Sequence, residues 1–452
     1  MGFKEGFVWG TATASYQVEG GAYEGGRGWT VWDEFCRIPG KVYEGHNGDV
    51  AADHYHKMED DVKLMKELGH KAYRFSIAWS RIYPEGFGEI SQEGLDFYKR
   101  LVDALVENGI EPYITLFHWD LPFGLHRLGG WQNPAITDQF AEYAATVAQH
   151  MGDKVKHYIT FNEPQCFIGL GHVTGDHAPG NLMSDRCVLE MAHNVLLAHG
   201  KAVRALRKVA PHAKIGYAPT SNAHYPLTNS PEDIEAARQA TMDILPNPAN
   251  FMWNIPWWSD PVVFGKYPEE GVELYKDIMP TINEGDMEII STPIDFYCQN
   301  IYNGFPIKSD GNGGFEYVKR EEGYARVANG WPVTPEALYW GPKFLYERYK
   351  LPFYISENGT ATNDAVSLDG KVHDPARINF LHRYLKCLKQ TATDGTPVEG
   401  YFLWSYLDNF EWAKGYNDRF GIVYVDYKTQ ERIVKDSGHW YKETIETNGA
   451  NL

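Results

Sequence analysis

Two glutamates stand at the polar ends of apolar runs, in Ile159-Thr160-Phe161-Asn162-Glu163-Pro164 and in Phe353-Tyr354-Ile355-Ser356-Glu357-Asn358-Gly359. Glycosidic-bond hydrolysis calls for such a pair: one carboxyl protonates the leaving oxygen, and a second attacks the anomeric carbon or activates water. Tyr158–Phe161 and Phe353–Ile355 read as buried strands, which sets Glu163 and Glu357 at strand carboxyl ends, where α/β folds gather their active sites. Pro164 supplies no ladder donor and biases Glu163 away from helical geometry, and Asn358-Gly359 gives a sharp exit after Glu357. Asn358-Gly359 is also a hairpin signal, but Thr360 to Asp364 reads as loop rather than as a returning strand. One glutamate in such a setting is an ordinary surface residue; two matched ones point to a site.

The elements that must position them alternate regularly. Strand-like runs fall at Phe7–Gly10, Tyr73–Ile77, Tyr113–Phe117, Tyr158–Phe161, Ile215–Ala218, Ile294–Tyr297, Phe353–Ser356 and Tyr401–Trp404. Helical patterns lie between them at His54–Leu68, Leu95–Asn108, Asp138–Met151, Asp185–Val209, Pro335–Tyr349 and Pro375–Gln390. Eight strand-helix units predict an α/β fold, a (β/α)8 TIM barrel with extended loops over its carboxyl-end face; a doubly wound sheet also fits the alternation. The length of 452 residues would allow two or three domains, but no linker composition interrupts it, so a single catalytic domain spanning 1–452 is expected. The Trp-rich stretch Pro246–Ser291 is then an insertion after the fifth strand that shapes the cleft.

Composition narrows the partners. Acidic residues outnumber basic ones by 60 to 42, a net charge of -18, so a broad nucleic-acid or anionic-membrane surface is not expected. A hydrophobic fraction of 43% suffices for a large core, and mean hydropathy of -0.44 with no apolar run of about 18 residues argues against a membrane span. Aromatics reach 14%, with 14 Trp and 29 Tyr, more than packing requires; their faces suit the C–H face of a pyranose. Cys36, Cys166, Cys187, Cys298 and Cys387 are odd in number and widely spread, which favours reduced thiols and a cytoplasmic location. Nothing near the start marks export, Gly6 breaks the myristoylation pattern, and the sequon at Asn358 should then meet no glycosylation machinery. Gly169, Gly171 and Gly175 miss the dinucleotide spacing, Asp53-His54-Tyr55-His56 reads as a polar helix start rather than metal ligands, and His439 and the other histidines accompany no G-x-S-x-G.

Four segments in order resemble the family 1 glycoside hydrolases over nearly the whole chain, from Phe7 to about Trp440. They are Phe7 to Gly21 (FVWGTATASYQVEGG), Thr160-Phe161-Asn162-Glu163-Pro164, Ile355-Ser356-Glu357-Asn358-Gly359, and Trp404 to Trp412 (WSYLDNFEW). The resemblance implies a retaining mechanism, with Glu163 the acid/base and Glu357 the nucleophile, and carboxyl groups about 5 to 5.5 Å apart. It implies further that Gln17, His118, Trp119, Asn162, Glu411 and Trp412 grip the non-reducing sugar over a floor made by Trp404. Arg74 and Tyr302 support Glu357, with Tyr302 also facing the substrate, Asn300 stands behind the carboxyls, and Trp331 is a platform for the leaving group. The chain departs from the family at Cys298, where glycine is common, at Gln165, where an aromatic is frequent, and at Thr360; the first two bear on leaving-group preference.

The expected activity is that of a retaining, exo-acting β-glucosidase taking cellobiose, short β-linked gluco-oligosaccharides and aryl β-glucosides, a reaction of cellulose degradation. β-Galactosidase, β-fucosidase and transglycosylation activities would accompany it. Glu411 argues against a phosphorylated sugar, and the presence of both glutamates argues against a silent sugar-binding barrel. A small-molecule β-glycoside is the expected partner, with no cofactor and no metal, since the carboxylates supply both proton and nucleophile. Oligomeric state is not encoded in anything read here.

Overall fold

A computed structural model describes residues 2–244 and 252–452. Its eight central strands are β1 (Val8–Ala12), β2 (Ala72–Ser76), β3 (Glu111–Phe117), β4 (His157–Asn162), β5 (Lys214–Ala218), β6 (Phe296–Asn300), β7 (Phe353–Asn358) and β8 (Val398–Trp404). Every neighbouring pair is parallel, and β1 pairs with β8, with Trp9 opposite Tyr401 and Ala12 opposite Trp404, so the sheet closes into a barrel. Closure removes the doubly wound alternative. The strands alternate as a two-residue period requires: Tyr113, Ile159, Phe296, Tyr354 and Phe402 fill the interior with Ala12, Ala72 and Ala218, while Ile114, Tyr158, Tyr297 and Ile355 pack outward against helices. The barrel is therefore solid below its carboxyl-end rim.

Seven strands fall where the sequence puts them, with ends extended by a few residues. The sixth begins later than predicted, at Phe296, because the Asp295 carboxylate accepts from the Ile215 amide and from Arg207 and so ends the preceding loop. Its register shift carries Asn300 to the rim. The long helices run His54–Glu67, Gln92–Glu107, Ile136–Met151, Asp185–Val209, Ala337–Tyr349 and Pro375–Thr393. Their starts follow local chemistry: Ser91 and Ser184 accept from amides of the first turn, and Pro375 occupies a first-turn position where its missing N–H costs nothing. Of the insertion after β5, Pro246 to Phe251 lies outside the described residues. The remainder holds short helices whose Trp257 and Trp258 are fully buried, and Trp253 reaches the cleft. Among the described residues no helix is long and apolar enough to cross a membrane.

The loops over the rim are tied together by buried charge. Lys435, wholly buried, donates to Asp364 at 2.5 Å and Asp408 at 2.7 Å. Asp364 also pairs with Arg377 and Asp408 with Arg419, and Arg377 binds Asp374 as well. One cation thus joins the loops after β7 and β8 to the start of the last helix. Breaking such a pair leaves an uncompensated charge, which makes the arrangement specific.

β7 pairs in parallel with β6 and β8, so Asn358-Gly359 is no hairpin turn. Gly359 is required for another reason: its backbone is outside the left-handed region, but a Cβ there would stand 1.7 Å from the Trp404 carbonyl oxygen. Gly359→Ala is expected to cost roughly 2–3 kcal/mol through forced separation of β7 and β8, read as a lowered unfolding midpoint. An unchanged midpoint would show that the two strands can part freely.

Candidate active site

The site is assembled around Arg74, the third residue of β2, whose guanidinium is buried at the rim with 1% of the residue exposed. Guanidinium has donors only, so every partner must accept. Nε bonds Thr115 Oγ1 at 3.1 Å, Nη1 bonds the Ser356 carbonyl at 3.0 Å and Glu357 Oε1 at 2.6 Å, and Nη2 bonds Asn162 Oδ1 at 2.6 Å. Strands β2, β3, β4 and β7 are thereby joined through one side chain.

The direction of those bonds propagates. Asn162 Oδ1, committed as an acceptor by Arg74, also receives Asn300 Nδ2 at 2.9 Å, while Asn162 Nδ2 donates to His118 Nε2 at 3.1 Å. Asn300 Nδ2 donates in addition to Glu163 Oε1 at 2.7 Å, and its Oδ1 accepts from Ser356 Oγ at 2.6 Å. His118 must then carry its proton on Nδ1, a buried atom with no protein partner; burial and Arg74 hold this ring neutral. Gln17 behaves likewise: Nε2 donates to the Phe410 carbonyl and Asn409, leaving a buried, unpartnered Oε1.

Glu357 accepts from Arg74 on one oxygen and from Tyr302 Oη at 2.8 Å on the other. Glu163 leaves β4 with φ +45°, a left-handed backbone rather than the extended one that Pro164 favours, and its amide donates to the Ala218 carbonyl at 2.8 Å. Its carboxyl accepts from Asn300 and from Cys166 Sγ at 3.0 Å. Burial pushes both carboxyls up, with each other's charge adding to the effect on Glu357. The donors decide where a shared proton rests: Glu357 touches a permanent cation, Glu163 only neutral groups. Glu357 therefore ionises first and Glu163 keeps the proton.

Both glutamates line one cavity of about 600 Å³ at the carboxyl-end face. His118, Trp119, Tyr302, Trp331, Trp404, Glu411 and Trp412 also line it; Gln17 and Asn162 adjoin that lining through their bonds to Glu411 and His118, and Arg74 and Asn300 through theirs to Glu357 and Glu163. The Trp119 and Trp412 rings stack at 4.5 Å, and His118 lies 5.7 Å from Trp404 at 22°. Trp331, 40% exposed, stands at the mouth with its ring 5.2 Å from Tyr302. Cys298 is buried inside the barrel and Gln165 clamps the Thr220 backbone from both its amide atoms, so neither faces the cavity; Thr360 bonds its neighbour's carbonyl.

Sequence reading passed over Cys166, His177, Trp253, Asp418 and Phe420, all lining the cavity, and Ser356, which orients Asn300. Only Ser356 and Cys166 had a local signal, by adjoining a glutamate motif. His54, in the histidine-rich helix start, is paired to Asp61 at 2.8 Å.

The profile of glycosyl hydrolase family 1 matches residues 1–450. A 1,4-beta-D-glucan glucohydrolase of Thermotoga neapolitana is 45% identical, with 99% of each chain covered. Beta-glucosidase A of Acetivibrio thermocellus is 47% identical over 99% of each. Among solved structures, a beta-glucosidase from Thermotoga maritima in complex with deoxynojirimycin superimposes with a TM-score of 0.90 at 44% identity, covering 99% of both chains.

Glu411 carries a stability cost. Its carboxyl is pushed up to about 8 by burial first, then by Asp418, Glu357 and Glu163. A carboxyl raised in the folded state binds protons that the unfolded chain has already released, so stability falls as pH rises from the ordinary glutamate range through 8. Glu411→Gln should then stabilise the fold by roughly 1–3 kcal/mol at pH 8 and by almost nothing at pH 4. Denaturant midpoints at the two pH values check this, and equal shifts would locate the effect elsewhere.

Proposed function

The chain belongs to glycosyl hydrolase family 1, and from that premise we propose that it is a retaining, exo-acting β-glucosidase, one catalytic domain with Glu163 as acid/base and Glu357 as nucleophile. The observation that carries the reading is the unequal support of two carboxyls in one cavity: Arg74 and Tyr302 on Glu357, neutral donors on Glu163. In the first step a Glu357 oxygen bonds to the anomeric carbon as the bond to the glycosidic oxygen breaks, and that oxygen takes the proton from Glu163. The spacing that suits direct attack is about 5 to 5.5 Å between the carboxyl groups. With Glu357 esterified its charge is gone, and Glu163 is free to ionise. In the second step water gives a proton to Glu163 while its oxygen bonds to the anomeric carbon and releases Glu357. Water is consumed, Glu163 is reprotonated, and two inversions leave a β product.

His118 Nδ1–H, Gln17 Oε1 and Glu411 meet hydroxyls of the sugar, the remaining Asn162 N–H meets the 2-hydroxyl, and the tryptophans cover its faces. Trp331, at the mouth, suits the leaving group. Cellobiose, short β-linked gluco-oligosaccharides and aryl β-glucosides fit a pocket closed at one end, with β-galactosides and β-fucosides as secondary substrates and sugar transfer competing with hydrolysis. Five free cysteines favour action in a reducing compartment such as the cytoplasm. A 6-phosphorylated sugar is disfavoured, because Glu411 and Asp418 both face the cavity and would repel a dianion.

Incubation with an activated 2-deoxy-2-fluoro-β-glucoside is expected to add one fluoroglucosyl group at Glu357, seen by intact mass and peptide mapping. Unmodified protein, or a sugar elsewhere, would reject the assignment. The glucoside should also be cleaved much faster than its 6-phosphate, and undiminished in chelator; the reverse preference would overturn the sugar assigned here.

A further inference from the structure

The hydrogen-bond polarity fixed by Arg74 reaches one atom further than the site description requires. Asn300 cannot be turned over: with its Oδ1 and Nδ2 exchanged, the carbonyl would face Asn162 Oδ1, already an acceptor for Arg74, and Ser356 would lose its acceptor. Glu163 Oε1 consequently meets an N–H at 2.7 Å whether the carboxyl is charged or neutral. In a carboxylic acid the hydroxyl oxygen is the poorer acceptor, so the proton belongs on the other oxygen. That oxygen, Oε2, faces Cys166 Sγ at 3.0 Å, and a thiol both donates and accepts. Cys166 follows Glu163 by three residues in the helical segment Cys166–Thr174 and lines the cavity, so the contact is set by the local fold.

We propose that the acidic proton of Glu163 resides on Oε2 and that Cys166 is the positioning residue that keeps it there. Its thiol accepts from the acid and donates to the carboxylate as the cycle alternates the two. The inference rests on Glu163 being the acid/base. It gives Cys166 no covalent part: no bond to sulfur forms, and the proton passes only between Glu163 and the glycosidic oxygen or water.

The charged and titratable groups around Glu163 are Arg74 from β2, Glu357 from β7, Tyr302 after β6 and Glu411 after β8, with Asp418 and Lys414 further along the cavity wall. His118 and His177 face the same space as neutral rings, and Thr220 adds a neutral hydroxyl beside Glu163. Thr220 bonds the Glu163 carboxyl as well, and Cys166 Sγ stands 3.0 Å from Oε2, so removing the thiol should act on Glu163 with the others in place.

Cys166→Ala and Cys166→Ser test this on two glucosides: an alkyl β-glucoside, whose leaving group needs protonation, and a dinitrophenyl β-glucoside, whose leaving group does not. For Cys166→Ala we expect kcat/KM on the alkyl glucoside to fall roughly tenfold, part of the 10²–10⁴ that general acid catalysis supplies, and to stay within about twofold on the dinitrophenyl glucoside. Loss of a donor to the carboxylate should also move the basic limb of the pH profile upward by about half a unit. Cys166→Ser, with a hydroxyl that donates and accepts, should restore both. Equal losses on the two substrates, with the basic limb unmoved, would make Cys166 a packing residue and overturn the inference alone. A wild-type protein inert toward both glucosides would remove the functional reading itself, and the inference with it.

Discussion

Everything at the rim takes its orientation from one buried guanidinium. Arg74 cannot accept a hydrogen bond, so it dictates which way Thr115, Asn162, Ser356 and Glu357 must point, and Asn162 passes the instruction to His118 and Asn300. A lysine would bring a single point of donation and no fixed plane, and the chain of amides would lose its sense. Burial is what makes this strict, since a misoriented amide here has no water to turn to. The charge itself is balanced by Glu357, so the residue that organises the rim and one of the two carboxyls of the cavity are one ion pair.

The pair also shows how opposed electrostatic effects are divided between two similar carboxyls. Removal from water lifts both, and the charge of Glu163 adds to the lift on Glu357, but only Glu357 receives a cation's hydrogen bond. The two differ in their donors, a guanidinium and a phenol on Glu357 against an amide and a thiol on Glu163, which favours the charge on Glu357. Glu411 shows the cost of gathering acidic groups in one cavity: burial first, and then Asp418, Glu357 and Glu163, push its carboxyl up to about 8.

The local halves of this arrangement were readable in the sequence. Period-two apolar runs located all eight strands, and the polar tips of β4 and β7 located Glu163 and Glu357, because strand pattern and strand end are set by neighbours in the chain. The sixth strand was placed early because Ile294 is apolar, while its actual start depends on Asp295 meeting the Ile215 amide across the sheet. Gly359 looked like turn chemistry and proved to be a matter of close approach to Trp404, nearly fifty residues away. His177, Asp418 and Phe420 escape sequence reading for the same reason: such a residue in isolation carries no periodicity, and only the closed barrel says which loops meet over its mouth. Where sequence did name such residues, it was through whole motifs of a resembling family, with no physical signal at the single position.

Closure of β1 onto β8 sets a schedule for the chain's birth. During synthesis the first strand emerges with one neighbour, β2, and its other edge must remain unpaired until residues beyond Val398 have left the ribosome. Lys435 and the helix that follows it come later still, and until that ammonium arrives, Asp364 and Asp408 have only the cations Arg377 and Arg419, and nothing joins the loops after β7 and β8 through a shared charge. A nascent chain holding both glutamates is therefore still an open, edge-exposed sheet of the kind that pairs wrongly when crowded. The cavity over the rim is therefore completed late, by the loop after β8 that carries Glu411, Trp412 and Asp418 and by the helix that begins beside Lys435, after Glu163 and Glu357 are already in the chain.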